Sequence, residues 1–377
     1  MALSHPISDC LIIGGGVVGL SIAYELAGRG LSVQILDQAA VGRGASWAGA
    51  GILPPSPTRG AVDPLDQLRS MSHQLHAQWA ADLKKITGVD TGYQRCGGLY
   101  LARSAAERAT LHAQQEWWTT HGIEAELWTH STASKLEPSL TSILNDQSVK
   151  AIWYLPDECQ LRNPRHLKAL AAACRLRGVE IHEHIAVEHL VPTADDYIEA
   201  VAHDHRFKAS RACVCSGAWS RLLLDQMEIP TGIMPVRGQM VLYNTETPLL
   251  QHVVNEGNRY LVARDDGRLL AGSCEEEVGF ELATTESMIR QLRAWAEGIL
   301  PQLHAAPVEM TWAGLRPGTF DGLPYLGQVP NLKQVFVASG HYRAGLHLSC
   351  ATAVIIADLM QGHQPAIDLS AFRVGRG

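Results

Sequence analysis

Within the first forty residues the hydrophobic pattern changes period twice. Asp9 to Ile13 is a short apolar run that Gly14-Gly15-Gly16 cuts off. Apolar positions then recur at helical spacing from Val17 to Ala27, until Gly28 and Gly30 stop them. Leu31 to Leu36 is a second buried-strand candidate and ends at Asp37. Strand, glycine turn, helix, strand and acid together predict one βαβ unit.

A Gly/Ala-rich stretch, Gly42 to Gly51, comes next, followed by Pro54, Pro55 and Pro57. The spacing predicts helices over 64–86 and 105–121, the second with Ser104 and Glu107 as a capping box. Asn163-Pro164 predicts a helix with Asn163 as its cap and proline at its first turn, closed by Gly178. Val179 to His184 and Ala212 to Cys215 read as strands. Further strands are expected at 234–243, 259–264 and 268–272, the last two joined by an Asp266-Gly267 turn. A helix from Thr284/Thr285 to about Leu300, a strand at Val335 to Ala338 and a helix over 344–360 complete the chain.

Helices and strands alternate at both ends around a β-rich block. The expected class is α/β: a discontinuous Rossmann-like nucleotide domain with an inserted substrate domain on a mostly antiparallel sheet. At roughly 150 residues per domain, 377 residues fit two. The division is expected at 1–85, 150–222 and 312–377 for the first, and 86–149 and 223–311 for the second.

Charge narrows the partners. Lys and Arg number 31 against 38 Asp and Glu, a net −7, which argues against a non-specific nucleic-acid or anionic-membrane binder. Eight scattered cysteines, without C-x-x-C or Cys/His zinc spacing, imply neither a disulfide framework nor a metal, and suit a reducing cytoplasm. The run Cys10 to Gly28 is apolar but broken by glycines and Glu25, with no Lys or Arg before it. It reads as neither signal peptide nor membrane span, and no other stretch approaches the ~18–20 unbroken apolar residues of a span. His203-Asp204-His205 reads as a polar turn, and Trp117-Trp118 as packing.

Chemistry concentrates in four segments. Gly14-x-Gly16-x-x-Gly19 with Asp37 lets backbone approach a pyrophosphate at a helix N-terminus, and Asp37 suits ribose hydroxyls. NAD and FAD share that fingerprint. The other three are Arg43-Gly44-Ala45-Ser46-Trp47-Ala48-Gly49-Ala50-Gly51, Val214-Cys215-Ser216-Gly217-Ala218-Trp219-Ser220 and Ser339-Gly340-His341-Tyr342-Arg343-Ala344-Gly345-Leu346.

These segments resemble the FAD-dependent amine and D-amino acid oxidase family. Pro235-Val236-Arg237-Gly238-Gln239, Tyr260-x-x-x-Arg264-x-x-Gly267 and Gly314-Leu315-Arg316-Pro317 are similar to further signatures of it, though Ala263 stands where the family usually has proline. The likeness runs from Asp9 to about Met360. Ala48-Gly49-Ala50-Gly51-Ile52-Leu53 and Gly340 to Gly345 look most like the glycine-oxidizing branch of that family, which serves thiamine biosynthesis. The resemblance implies non-covalent FAD, with Gly14, Gly15, Gly16, Val17, Val18, Gly19, Asp37 and Gln38 at its ADP half. Ala45, Ser46, Ala50, Gly51 and Ile52 would line the ribityl chain and ring, and Val187 the adenine side. Ser216 and Gly217, with His341, Tyr342, Arg343, Ala344, Gly345 and Leu346, would complete the flavin shell. Arg316, Tyr260 and Arg343 would face the substrate.

The residues themselves suit that chemistry. An amino acid needs a carboxylate anchor, and Arg316 in apolar surroundings must find an anion, either substrate or a structural Asp or Glu. The expected reaction oxidizes glycine, sarcosine or small D-amino acids with O2, releasing 2-oxo acid, ammonia and H2O2. Sarcosine oxidase, a D-amino acid dehydrogenase and a non-catalytic flavoprotein are the rivals. A sarcosine oxidase would hold flavin on a cysteine near the last motif, and Cys350 lies about two helical turns beyond Arg343. A homotetramer follows from the resemblance alone.

Overall fold

The computed structural model describes residues 3–376. Ser8–Ile13, Val33–Leu36 and Glu180–His182 pair in parallel, with the helix Val17–Gly28 between the first two, as the opening pattern requires. His205–Val214 extends this layer, and Leu332–Ser339 pairs in parallel with its end. Two antiparallel strands, Ile198–Ala202 and His189–Pro192, extend the other side of a nine-stranded sheet. Both are absent from the expected elements. His203-Asp204 turns between Ile198–Ala202 and His205–Val214.

Four helices cover one face of this sheet: Val17–Gly28, Pro64–Thr87, Asn163–Leu176 and Gly345–Met360. Ser104 and Glu107 form the expected capping box of Ala105–Thr120. Such a cap is worth about 1 kcal/mol. Contrary to the expectation that no further stretch approaches span length, Tyr342–Met360 is long and apolar enough to cross a bilayer by length and composition. It instead packs between the helices Val17–Gly28 and Pro64–Thr87, with eleven side chains of Gly345–Met360 buried.

The inserted block forms an eight-stranded sheet whose neighbours are antiparallel except Val253–Glu256 and Gly98–Ala102. Its strands alternate. Val241, Tyr243, Leu261 and Ala271 turn to the helix Glu286–Ile299, while Met240, Tyr260, Val262 and Leu270 turn to Ala50. Ala151–Leu155 and Val308–Gly318 both belong to this sheet. The sequence boundaries had grouped the first, and most of the second, with the cofactor half. A small sheet, Ile52–Leu53, Cys159–Gln160 and Gln94–Arg95, joins the two layers.

Candidate active site

A cavity of about 1020 Å³ runs from the carboxyl ends of the parallel strands to the face of the eight-stranded sheet carrying Tyr260. That is where open α/β sheets place ligands. Every residue expected on the cofactor lines it except Gly15 and Gly19. Those two act behind the wall. A Cβ on Gly19 would fall 1.9 Å from the Gly14 carbonyl oxygen, so its bareness seats the helix on the strand. Gly15 N–H donates to Asp37 Oδ2 at 2.7 Å, and Ala39 N–H to Oδ1 at 2.8 Å. Asp37 therefore holds the glycine turn, with lone pairs left for hydroxyl donors. Burial pushes its carboxyl above the usual range, and the two N–H bonds act against that.

Gly14 has φ +111°, and a Cβ there would lie 2.6 Å from the Cys215 carbonyl oxygen, so only glycine lets these strand ends meet. The helix after Gly16 lacks a side-chain cap on that residue, and Val17 N–H donates to Ser46 Oγ at 2.9 Å. Ser46 thereby ties the first segment to the second.

Two residues that the sequence reading placed elsewhere clamp the Ala45–Gly51 segment. Asn163, expected as a helix cap, makes no cap bond; Nδ2 donates to the Ser46 carbonyl at 2.6 Å. Its Oδ1 is buried and has no partner among the described residues, Asn163 lines the cavity, and a Cβ on Gly51 would lie 2.5 Å from this oxygen. Arg264 is 7% exposed and donates to the carbonyls of Ala50 at 2.5 Å and Leu161 at 3.1 Å, and to Gln160 Oε1 at 2.6 Å. Burial, then the neighbouring Arg162, pulls its guanidinium down to about 10. Only the side-chain amide of Asn163 and the 264-position signature hinted at these roles.

At the other end, Tyr260 and Arg316 line the cavity. Tyr260 lies across Gly272, where a Cβ would come within 2.9 Å of its ring, and among the described residues its hydroxyl has only Met240 Sδ at 3.5 Å. Arg316 donates to the Cys274 carbonyl at 3.0 Å and to Ser273 Oγ at 2.7 Å, and forms no ion pair among the described residues. Both acceptors are neutral, so its charge is left to an anion. Arg343 differs. It pairs with Glu275 and donates to the Asn258 carbonyl at 3.1 Å, so its charge is already matched. His341 is buried, bonded to Thr352 Oγ1 at 3.1 Å and pulled down to about 4 by burial. It stands neutral at pH 7.

Cys350 is buried against His76 and does not line the cavity. Trp118 packs in a core, whereas Trp117 is exposed at the cavity rim and stacks on His121. His73, Asp157 and Cys159 bring three ligand-type atoms within 4.8 Å of one another, from segments too distant for a spacing motif. Arg95 already holds Asp157 at 2.9 Å, and burial raises the Cys159 thiol to about 11. Both features oppose a cation.

An elongated cavity, a bare glycine turn at a helix N-terminus and an orphaned acceptor beside Gly51 fit FAD. Residues 9–359 match the family profile described as DAO, FAD dependent oxidoreductase. The chain belongs to this family.

Its DAO-family relatives include a glycine oxidase of Geobacillus kaustophilus, 31% identical over 98% of this chain and 97% of the relative. The bifunctional protein ThiO/ThiG of a Nostoc species is 32% identical over 98% of this chain, which spans 55% of that protein. The crystal structure of glycine oxidase from Geobacillus kaustophilus superposes with a TM-score of 0.93, covering 99% of this chain and all of that one. The cofactor of this DAO-family chain is FAD, and the chain is an oxidoreductase.

Proposed function

We propose that this chain is a glycine oxidase: glycine, O2 and water give glyoxylate, ammonia and H2O2, with sarcosine and small D-amino acids as further substrates. The observation that carries the reading is Arg316, a guanidinium on the cavity wall whose only partners among the described residues are neutral. A planar fork without a counter-ion binds a carboxylate bidentately. Relatives named glycine oxidase that match nearly end to end support the substrate class. The likeness to ThiO/ThiG supports a supply of the glycine imine for thiazole formation in thiamine biosynthesis.

FAD supplies the hydride acceptor for the substrate Cα–H and the route of those electrons to O2. This chain's residues bind and orient. Arg316 fixes the carboxylate and the Tyr260 hydroxyl adds a hydrogen bond to it. Gly14 to Gly19, Asp37, Ser46, Gly51 and His341 to Leu346 form the cofactor shell, and Arg343 with Glu275 closes the rim. Attachment of FAD is non-covalent: Cys350, the cysteine near the last motif, is buried against His76 and does not line the cavity.

The division of labour follows the sheets: the nine-stranded layer and its helices hold cofactor, and the eight-stranded sheet, including Ala151–Leu155 and Val308–Gly318, holds substrate. A cytoplasmic homotetramer completes the proposal, supported by the family resemblance. Peroxide release with glycine, sarcosine and D-alanine in air is the test. A chain that takes up FAD and releases no peroxide with any of them is not this enzyme.

A further inference from the structure

One polar side chain at the substrate end has no role in the account above. Asn255 lies on Val253–Glu256, in register with Tyr260 on one neighbour and Tyr100 on the other. Residues directly opposite in a sheet project from the same face. Asn255 therefore stands beside Tyr260, and it lines the cavity. Behind it, Glu158 is completely buried. Asn255 Nδ2 donates to Glu158 Oε1 at 3.0 Å, and the Tyr100 hydroxyl donates to Oε2 at 2.5 Å.

Above about pH 7, where Glu158 is ionised, its carboxylate only accepts, so Asn255 turns its NH2 to Glu158 and leaves Oδ1 as the group it offers elsewhere. The titratable groups facing Glu158 are Tyr100, Cys96 and Cys159, all held in their neutral forms by burial, and no cation among the described residues offsets it. A bare acceptor backed by a buried anion suits an N–H donor, and an amino acid carries one beside the carboxylate that Arg316 would hold.

We propose that Asn255 is the amine-binding residue of the site, its Oδ1 accepting an N–H of the substrate amine, with Glu158 as the positioning residue that fixes the amide. This rests on the amino-acid-oxidase reading and adds a specificity to it. Neutral primary and secondary amines bring an N–H to Oδ1; a neutral tertiary amine brings none. A site built to bond one hydrogen discriminates strongly against analogues lacking it.

The test compares glycine with acetate, which keeps the carboxylate and lacks the amine. FAD-loaded wild type, Asn255→Ala and E158Q are assayed for glycine kcat and KM, and titrated with acetate through the flavin absorbance. For Asn255→Ala, glycine KM should rise at least tenfold while the acetate Kd stays within twofold and FAD content is unchanged. A glycine KM within threefold of wild type, or a parallel loss of acetate binding, overturns the assignment. Should Asn255→Ala not accumulate as folded protein, E158Q carries the test, because its amide no longer forces the Asn255 orientation. Its ratio of glycine KM to acetate Kd should then rise at least threefold, and an unchanged ratio overturns the role of Glu158. If wild type releases no peroxide with glycine, the oxidase reading fails by itself. The Kd of unreacted glycine, read from the same flavin band, then judges Asn255 alone.

Discussion

Arg316 lies flat across Gly238: a Cβ on that glycine would sit 2.2 Å from the guanidinium nitrogens. The two residues belong to paired strands, Met234–Asn244 and Val308–Gly318, whose register sets Gly238 opposite Gly314 and Val236 opposite Arg316. The missing side chain is thus a seat for the Arg316 guanidinium.

Gly238→Ala should lift the guanidinium off that seat. Overpacking of this kind costs about 1–3 kcal/mol. Glycine KM should rise about tenfold or more, with FAD content near wild type. Steady-state peroxide assays on flavin-loaded protein check this, and an unchanged KM would mean that the guanidinium does not need its observed place.

Arg316→Ala should be costlier for turnover. Truncating one side of a buried charge pair costs about 2–5 kcal/mol, roughly 30- to 5,000-fold in kcat/KM. Lysine should rescue poorly, because a point ammonium cannot reproduce a fork that also reaches Ser273 and Cys274. A loss of less than about threefold would remove Arg316 from the substrate site. Arg343, already paired with Glu275, would be a weak substitute.

Asp37→Ala should act on the cofactor and on its turn together. Two N–H groups, of buried Gly15 and exposed Ala39, lose their acceptor. Leaving the Gly15 N–H unpaired costs about 1–3 kcal/mol, while water can take the place of the acceptor at Ala39. FAD titration of the apo-protein should show at least a tenfold weaker Kd, and the apo-protein should melt earlier than wild type. Equal affinity would exclude Asp37 from cofactor binding.

Glu158 should leave a mark on stability against pH. Burial pushes its carboxyl from the ordinary 4.5 up to about 7. The folded state then holds its proton more tightly than the unfolded chain. Stability from this group is full below about pH 4.5 and declines as pH rises through about 7. At ~1.4 kcal/mol per unit, the difference amounts to about 3 kcal/mol. Melting curves of wild type and E158Q between pH 5 and 8 should therefore converge at low pH and separate, in favour of E158Q, at high pH. Parallel curves would mean that Glu158 titrates in the ordinary range.

Local chemistry made much of this fold legible. The glycine turn, the Ser104–Glu107 box and the Asp266-Gly267 hairpin are each fixed by residues within a few positions, and each forms where expected. What escaped depends on partners far along the chain. Asn163 has the sequence of a cap, but its amide serves Ser46, 117 residues away. Val308–Gly318, with Pro317 near its end, is a strand that the expected elements did not include. It occupies the sheet edge, where a missing N–H goes unmissed, and faces Pro235 in register. Asn255 carries no motif at all. Only the register that sets it between Tyr100 and Tyr260 shows it beside the cavity.

Arg264 carries a consequence for the order of folding. Its bond to the Ala50 carbonyl spans 214 residues. The flavin-side loop therefore reaches its final shape only after the hairpin around Asp266-Gly267 has formed and docked. Long-range contacts of this kind close late, because the chain entropy must be lost before they contribute. Closure of the cavity is thus a checkpoint on the finished antiparallel sheet: a nascent or truncated chain with an intact glycine turn, but no residue 264, would form that turn and leave the Ala50 carbonyl without the Arg264 bond that fixes it.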